Sequence, residues 1–551
     1  MSELVLGPLL RHVGRTSATI WVETSAPCTV EVLGVSTPTF TVEQHHYALV
    51  IIEGLDPGAV QQYSVALDGT TVWPLPDDPF PPPVVRTLDG GPHRILFGSC
   101  RAAAPHEPPY TLELDHDDRG RGVDALRAHG LRMLQSDISE WPDLLVLLGD
   151  QVYADDPSPR TQGRIDRLKR LGRRRREAPD DVVDGFEQYT WLYHESWTPD
   201  VERWVLSVVP STMVFDDHDM IDDWNISERW VADIRQEPWW QEHIIGGLMT
   251  YFVYQHLGNL APDRIKEEGL LESLIAAQDG SRLLREWASA SEQHTPVPGG
   301  YHFNFHRDVG DVRLIVIDSR NGRVLERDRR QMVDDGHWRW ISEHAADPCR
   351  HLLIASSVPV LVPGGLHDLQ QWNEAICAGR WRRPGMWLGE RIRRGIDLED
   401  WPAFDRSFRA MCELIEQTAT RETPPATITL LSGDIHFAYV SSVELATPAT
   451  PARSRVRQVV SSPIRNALVT RERRVIMFAL RRSGWAIARW LARRAGVVPA
   501  PIRWDLEHGP IFDNNIGLIT VDGDDAHLVI ERARPDDQGR PILETVVDID
   551  L

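Results

Sequence analysis

Short stretches near the start of the chain alternate apolar and polar residues, as in Ser17-Ala18-Thr19-Ile20-Trp21-Val22, Thr29-Val30-Glu31-Val32-Leu33 and Gln62-Tyr63-Ser64-Val65-Ala66-Leu67. Gly, Pro and Asp turns separate them, which predicts a small all-β sandwich over residues 1–88. The proline-rich segment Pro74 to Pro83 reads as a stiff linker. Beyond it the texture changes. Asp143 to Leu148 is a nearly unbroken apolar run between Pro142 and Gly149, the mark of a parallel strand buried on both faces. Arg94–Phe97, Val205–Phe215, Val312–Asp318, Leu352–Ser356 and Ile428–Ser432 repeat the pattern, and Val123–Leu134 has helical spacing. This β-α-β rhythm predicts a layered α/β domain over residues 89–551. Helical insertions are expected over about 160–300, with a basic helical segment and further strands over about 465–551.

The chain has 551 residues, long for a single core, and its net charge of −22 disfavours nucleic acid as a general partner. Two basic clusters stand against that balance. Arg164 to Arg176, including Arg173-Arg174-Arg175-Arg176, is either a solvated face or a clamp for an anionic substrate. The segment from Arg471 to Arg494 mixes arginines with Val475, Ile476, Phe478, Trp485, Ile487 and Trp490. It either packs on the domain or makes peripheral contact with a membrane. Five widely spaced cysteines fit a reducing compartment better than a disulfide framework. No signal peptide, twin arginine or membrane-spanning run is visible, so the expected location is cytoplasmic.

Four of the predicted strands end in residues with chemistry. These ends are Gly98-Ser99-Cys100-Arg101, Gly149-Asp150-Gln151-Val152-Tyr153, Phe215-Asp216-Asp217-His218-Asp219 and Ser432-Gly433-Asp434-Ile435-His436. An open α/β sheet binds its ligands at the carboxyl edge of its strands, so all four sets can converge there. Thiolate, phenolate, imidazole and carboxylate together form a competent field for two cations, a hard-to-borderline ion such as ferric iron at one position and a second, divalent ion on carboxylate oxygens. Taken singly, Cys100 and Tyr153 could be packing residues, and Asp216, Asp217, Asp219, Asp222 and Asp223 could be solvated turn residues.

In this order and context the four motifs resemble the alkaline phosphatase D (PhoD-like) branch of the calcineurin-like metallophosphatases, across most of the chain from about Leu4 to Ile464. The resemblance implies an α/β/β/α sandwich preceded by a fibronectin- or immunoglobulin-like sandwich. It implies a phosphomonoesterase or phosphodiesterase that hydrolyses phosphate esters with metal-activated hydroxide. Position by position, Asp150 would bridge two metals. Cys100, Tyr153 and His436 would complete a site for ferric iron, and Asp217 and Asp434 a site for calcium or another divalent ion, manganese or zinc among them. His218 would assist the leaving oxygen, and Arg101 would contact a phosphate oxygen. The expected partner is a phosphate-ester small molecule or a lipid head group. One departure from the family pattern is plain: the middle strand ends Ala355-Ser356-Ser357-Val358-Pro359 with no histidine. A metal-binding scaffold without catalysis, whose N-terminal sandwich serves in binding, therefore stays open, as does a peripheral membrane phosphodiesterase acting on lipid head groups.

Overall fold

In the first sheet of the computed structural model, Leu4–Val13, Ser17–Thr24, His45–Glu53 and Phe40–Val42 lie side by side in that order. The structure describes residues 2–175, 177–294, 301–445 and 452–551. Because successive side chains on a strand point to opposite faces, the alternation sorts this sheet's residues between two cores. Leu10, Ile20, Val22 and Val50 face a second small sheet and meet Val30, Val65 and Trp73. Leu9, Trp21, Tyr47 and Leu49 face the other way and join the main core of the molecule. Each of those four is fully buried, a gain of roughly 1.5–3 kcal/mol per side chain. The sheet is therefore wedged between two apolar interiors.

Polar contacts fix the wedge in register. Arg11 is fully buried and donates to the Gln255 carbonyl at 2.6 Å and to Asn259 Oδ1 at 3.0 Å. Glu23 accepts from the Tyr254 hydroxyl at 2.9 Å and pairs with His194 at 2.8 Å and His45 at 2.9 Å. His45 reaches on to Glu187 on the helix Phe186–Trp197.

The larger region is built on two mixed sheets. One has the order Ser211–Met213, Leu144–Leu147, His93–Gly98, Asn515–Asp522, Asp525–Pro535, Pro541–Asp550, and its first three strands are parallel. The other has the order Phe305–Val309, Val312–Ile317, His351–Ser356, Thr427–Ser432, Arg455–Val460, Ala438–Leu445, Ile502–Ile511, with a parallel centre. One continuous apolar core contains the inner residues of both sheets, such as Phe97 and Val146 from the first and Leu314, Ile354 and Leu430 from the second. The helix Ala125–Met133 covers the first sheet and Asp335–Ala346 the second. The fold is mixed α/β, with all-β sheets at the N-terminus and a larger α/β region behind them. The last three strands extend the first sheet.

One expected strand is corrected. Val205 to Val208 belongs to the helix Asp200–Val208, and only Ser211–Met213 is strand. Its helical face is amphipathic, and Pro210 ends the helix by denying Val209 a helical conformation, so one apolar run spans two elements. Among the described residues all five cysteines are free, and no helix is long and apolar enough to cross a membrane.

Burial lowers the proton affinity of His45, but the Glu187 and Glu23 carboxylates outweigh it and raise the pKa from 6.5 to about 9. A group raised in the folded state contributes stability that is complete below its ordinary value and lost as pH rises through its folded value. Urea unfolding of the wild type should therefore weaken between pH 6.5 and pH 9 relative to His45→Gln, whose profile should be flatter over that window.

Candidate metal centre

Register places the chemistry at one edge. Gly98 pairs with Leu147 and Leu147 with Met213, so three strands of the first sheet stop at the same level. In the second sheet Ile317 pairs with Ser356, Ala355 with Leu431 and Ser432 with Val460. The loops leaving both edges are stitched together. Cys100 N–H donates to the Gly149 carbonyl, Asp434 N–H to Ser99 Oγ at 3.2 Å, and Arg465 N–H to the Cys100 carbonyl at 3.1 Å.

The backbone turns sharply where the side chains must converge. Cys100, Asp150, Asp434 and His436 all have left-handed φ, at 55°, 51°, 64° and 55°. Such conformations cost a non-glycine residue of order 1–3 kcal/mol each and persist where the surroundings enforce them. Two glycines permit the close approach: a Cβ on Gly149 would meet Asp216 Oδ2 at 2.5 Å, and one on Gly433 would meet Ser99 Oγ at 2.0 Å.

Donor atoms of Cys100, Asp150 and His436 all lie within 4.8 Å of one another. The same holds for Asp150, Asp217 and His218, and for Asp150, Asp216, Asp217 and Asp434. Asp150 is common to all three groups. Cys100 Sγ is 3.4 Å from Asp150 Oδ2, and the Tyr153 ring lies 4.7 Å from that of His218. The structure thus brings Cys100, Asp150, Asp217, His218, Asp434 and His436 into one cluster, the first three buried and the last three half-buried, with Tyr153 against it.

The electrostatics of the cluster show a shortage of positive charge. Burial, then the Asp216 carboxylate, drives Asp150 and Asp434 well above the usual carboxylate range. Burial and Asp434 push the Cys100 thiol up to about 12. Among the carboxylates Asp150, Asp216, Asp217 and Asp434, only Asp217 is held below its ordinary value, because Arg320 and His218 outweigh its burial. Burial and the His218 charge lower His436 to about 4, leaving a neutral imidazole suited to ligation. Asp150 Oδ1 and Asp216 Oδ2 are buried with no hydrogen-bond partner among the described residues. The Tyr153 hydroxyl, with Asn466 nearby, completes no hydrogen bond of normal geometry. Orphaned buried oxygens, a thiol, a neutral imidazole and mutually repelling carboxylates are the donor set that cations would satisfy.

Two residues without a sequence signal of their own organise this cluster. Arg320 is fully buried two residues after Asp318, at the end of the strand Val312–Ile317. Its guanidinium meets Asp216 at 2.6 Å, Asp217 at 3.2 Å, Asp434 at 3.3 Å and Glu399 at 2.6 Å. Asp155 lies 2.8 Å from His218 Nδ1 and, with Asp150, raises the imidazole's proton affinity despite its burial. Position alone could have pointed to them, Arg320 at a strand end and Asp155 two residues past Tyr153. Asp216, Asp217 and Asp219 are buried, which corrects the solvated-turn alternative for them; Asp222 is exposed. After the middle strand Ser357 stands where the family has a histidine; its Oγ lies 2.9 Å from that of Ser319, and it also hydrogen-bonds Asp216.

Arg101 does not face the cluster. Its Nε donates to Asp124 at 2.9 Å, one terminal nitrogen to Ser196 and the other to Glu202 at 3.0 Å and Asp124. Every donor is occupied by a buried partner, which leaves none for a phosphate oxygen. The basic cluster also turns inward in part: Arg174 is buried and donates to the Pro179 and Val182 carbonyls, while Arg176 lies outside the described residues. A cavity of about 440 Å³ opens beside Tyr153, lined also by Ala102, Arg119, Arg121, Gln162 and Glu195.

Comparison with known proteins bears mainly on the fold. The solved structure of PhoD superposes with a TM-score of 0.56 at 11% sequence identity, covering 99% of this chain and 92% of that one, so the chain has a PhoD-like fold. A maltogenic amylase from S. marinus aligns with a TM-score of only 0.15, at 10% identity over 96% of this chain and 76% of its own, and carries no argument. A family model described as a domain of unknown function, DUF7800, matches residues 1–85. No curated protein matches the sequence.

Removing Arg101 should act on stability. Arg101→Met leaves the Asp124 carboxylate buried without its main cation, while Glu202 keeps Arg127 and His106, a loss of about 3–5 kcal/mol. Guanidinium unfolding checks this, and metal uptake per folded chain should be unchanged.

Proposed function

We propose that the protein is a metal-dependent phosphoesterase of the PhoD-like kind, hydrolysing phosphate monoesters or diesters. The observation that carries this reading is the convergence on Asp150 of three overlapping donor groups with orphaned buried oxygens. Cys100, Tyr153 and His436 with Asp150 would hold one cation. That mixture of thiolate, phenolate and imidazole suits ferric iron. Asp217 and Asp434 with Asp150 would hold a second. An all-oxygen set, with the Ser357 hydroxyl where a histidine is absent, suits calcium, manganese or another hard divalent ion better than zinc. Cations bound there supply Lewis acidity: they neutralise phosphate charge and make water acidic enough to serve as a nucleophile near neutral pH.

The chain's own residues supply the rest. Asp155 and then Asp150 favour the imidazolium form of His218 and raise its proton affinity despite burial. Asp155 on Nδ1 fixes the ring and leaves Nε2 to donate that proton to the departing alkoxide. Arg320 holds Asp216, Asp217 and Asp434 in fixed orientation, so it is a positioning residue. The cavity beside Tyr153 is the space for the ester's organic group.

The test is elemental analysis of protein purified without chelator, followed by turnover of aryl phosphate mono- and diesters. Two or more metal ions per chain and hydrolysis of either ester are expected. Asp150→Asn should deplete both metals and cut turnover by more than the roughly 10–100-fold typical of outer-shell changes. Full activity in that variant would remove the assignment. Metal uptake with no hydrolysis would instead assign a binding scaffold, the reading that the missing histidine after the middle strand keeps open.

Loading with ferric iron should give a broad visible absorption band from the Tyr153 phenolate, and Tyr153→Phe should lose that band while keeping the thiolate contribution.

A further inference from the structure

Two consecutive helices, Thr470–Leu480 and Arg482–Arg494, lie on the outside of the second sheet's helical layer. They are firmly seated. The second helix buries Ala488 and Ala492, and Ala492, with Ala495 just beyond the helix, packs with Trp372 and Ile376 of the helix Gly364–Cys377. The Trp485 indole donates to Asp368 at 2.8 Å, and Gly365 allows the Ala479 carbonyl to approach to where a Cβ would sit 2.3 Å away. On the first helix Ile476 packs in one cluster with Ile435, Phe437 and Tyr439. Ile435 stands between Asp434 and His436, so the pair is anchored directly beside the metal centre.

The outward faces have no counterpart among the described residues. Val475 is 65% exposed, Phe478 54%, Ile487 55% and Trp490 56%. On the first helix Arg471, Arg474, Val475 and Phe478 share one stripe at helical spacing; on the second, Ile487, Trp490 and Arg494 do, with Arg482, Arg489 and Arg493 alongside. Between Thr470 and Arg494 there are eight arginines and one acidic residue, Glu472. None of the eight forms a salt bridge among the described residues. Arg489 and Arg494 instead lie over the Trp485 and Trp490 rings, at 5.8 and 5.5 Å. All this stands on a chain whose net charge is −22.

We propose that residues 470–494 form a docking surface for anionic phospholipid, which seats the protein on a bilayer with the metal centre beside the lipid. Charge complementarity selects the occupant. Unpaired arginines interleaved with protruding Trp, Phe, Ile and Val match an interface where guanidinium groups meet lipid phosphate and the apolar tips enter the acyl boundary. Trp is the residue best adapted to that boundary, with an apolar body and one polar N–H. Neither helix crosses the membrane: they span only 11 and 13 residues and lie in the interface plane. Vesicle binding needs no catalytic activity, so this inference stands or falls apart from the proposed phosphoesterase chemistry.

The experiment is co-sedimentation of the full chain with vesicles of phosphatidylcholine alone and of phosphatidylcholine mixed with phosphatidylglycerol, at low and raised salt. Binding to the mixed vesicles should exceed binding to neutral ones by about tenfold or more and fall with salt. Ile487→Ser with Trp490→Ser should lose binding with an unchanged thermal transition. Should that pair fail to fold, replacing Arg482, Arg489 and Arg493 by Gln carries the same test. Asp150→Asn should bind vesicles as the wild type does, which separates docking from turnover. Wild-type protein left in the supernatant with mixed vesicles would overturn the proposal. So would self-association, seen by sedimentation velocity and abolished by the Ile487 and Trp490 changes, in the absence of vesicle binding, because the surface would then belong to a second copy of the chain.

Discussion

Concentrating carboxylates in a dry sheet edge is the interaction on which the rest of this structure turns. Asp150, Asp216, Asp217 and Asp434 present oxygens within 4.8 Å of one another, and Cys100 lies 3.4 Å from one of them. Isolated charges so placed would protonate, and the direction of the shifts at Asp150 and Asp434 shows that pressure. One guanidinium, Arg320, relieves part of it, and its own proton affinity is raised despite burial by Asp217, Glu399 and Asp216. The remaining deficit is the physical content of the word site here: oxygen atoms are held apart from water, from hydrogen-bond donors and from enough cationic charge.

Holding such an arrangement takes a frame that does not yield. The left-handed residues at Cys100, Asp150, Asp434 and His436 are each braced by a second loop, through Gly149, Arg101, Ser99 and Ser462 respectively. Behind Arg320, Glu399 is gripped also by Arg323 at 2.9 Å, and Asp219 is fastened by Gln255 at 3.0 Å. Gln255 in turn offers its carbonyl to Arg11. A chain of buried polar contacts thus leads from Arg11 of the N-terminal sheet through Gln255 to Asp219 beside the candidate metal centre.

Much of the architecture is legible in the sequence because buried parallel strands are continuous apolar runs, and the residues just past each run are delivered to one edge. Cys100, Asp150, Tyr153, Asp217, His218, Asp434 and His436 stand out on that logic, and the geometry gathers them. The logic fails where the pattern carries no direction. Arg101 adjoins Cys100 in sequence, yet neighbouring residues leave a turn toward different sides, and its donors go to Asp124 and Glu202. Arg320 escapes notice because an arginine after a strand has no spacing signal; only the register between Ile317 and Ser356 shows where it arrives. The run Val205 to Phe215 misleads because four apolar residues suit either a buried strand or one face of a short helix, and Pro210 is the stronger signal.

Alternation in the N-terminal region predicts a separate sandwich, but alternation alone cannot tell a half-exposed sheet from one buried on both faces. Here the second set of positions is also apolar, with Leu9, Trp21, Tyr47 and Leu49 opposite Leu10, Ile20, Val22 and Val50. A free-standing binding module would present its second face to water with polar residues. This one commits that face to the main core and places Arg11 and Glu23, both buried, in the helical layer above the site. The sheet's packing thus argues for a buttress: it fixes Tyr254 and Gln255, and through Gln255 the Asp219 that closes the turn carrying Asp217 and His218.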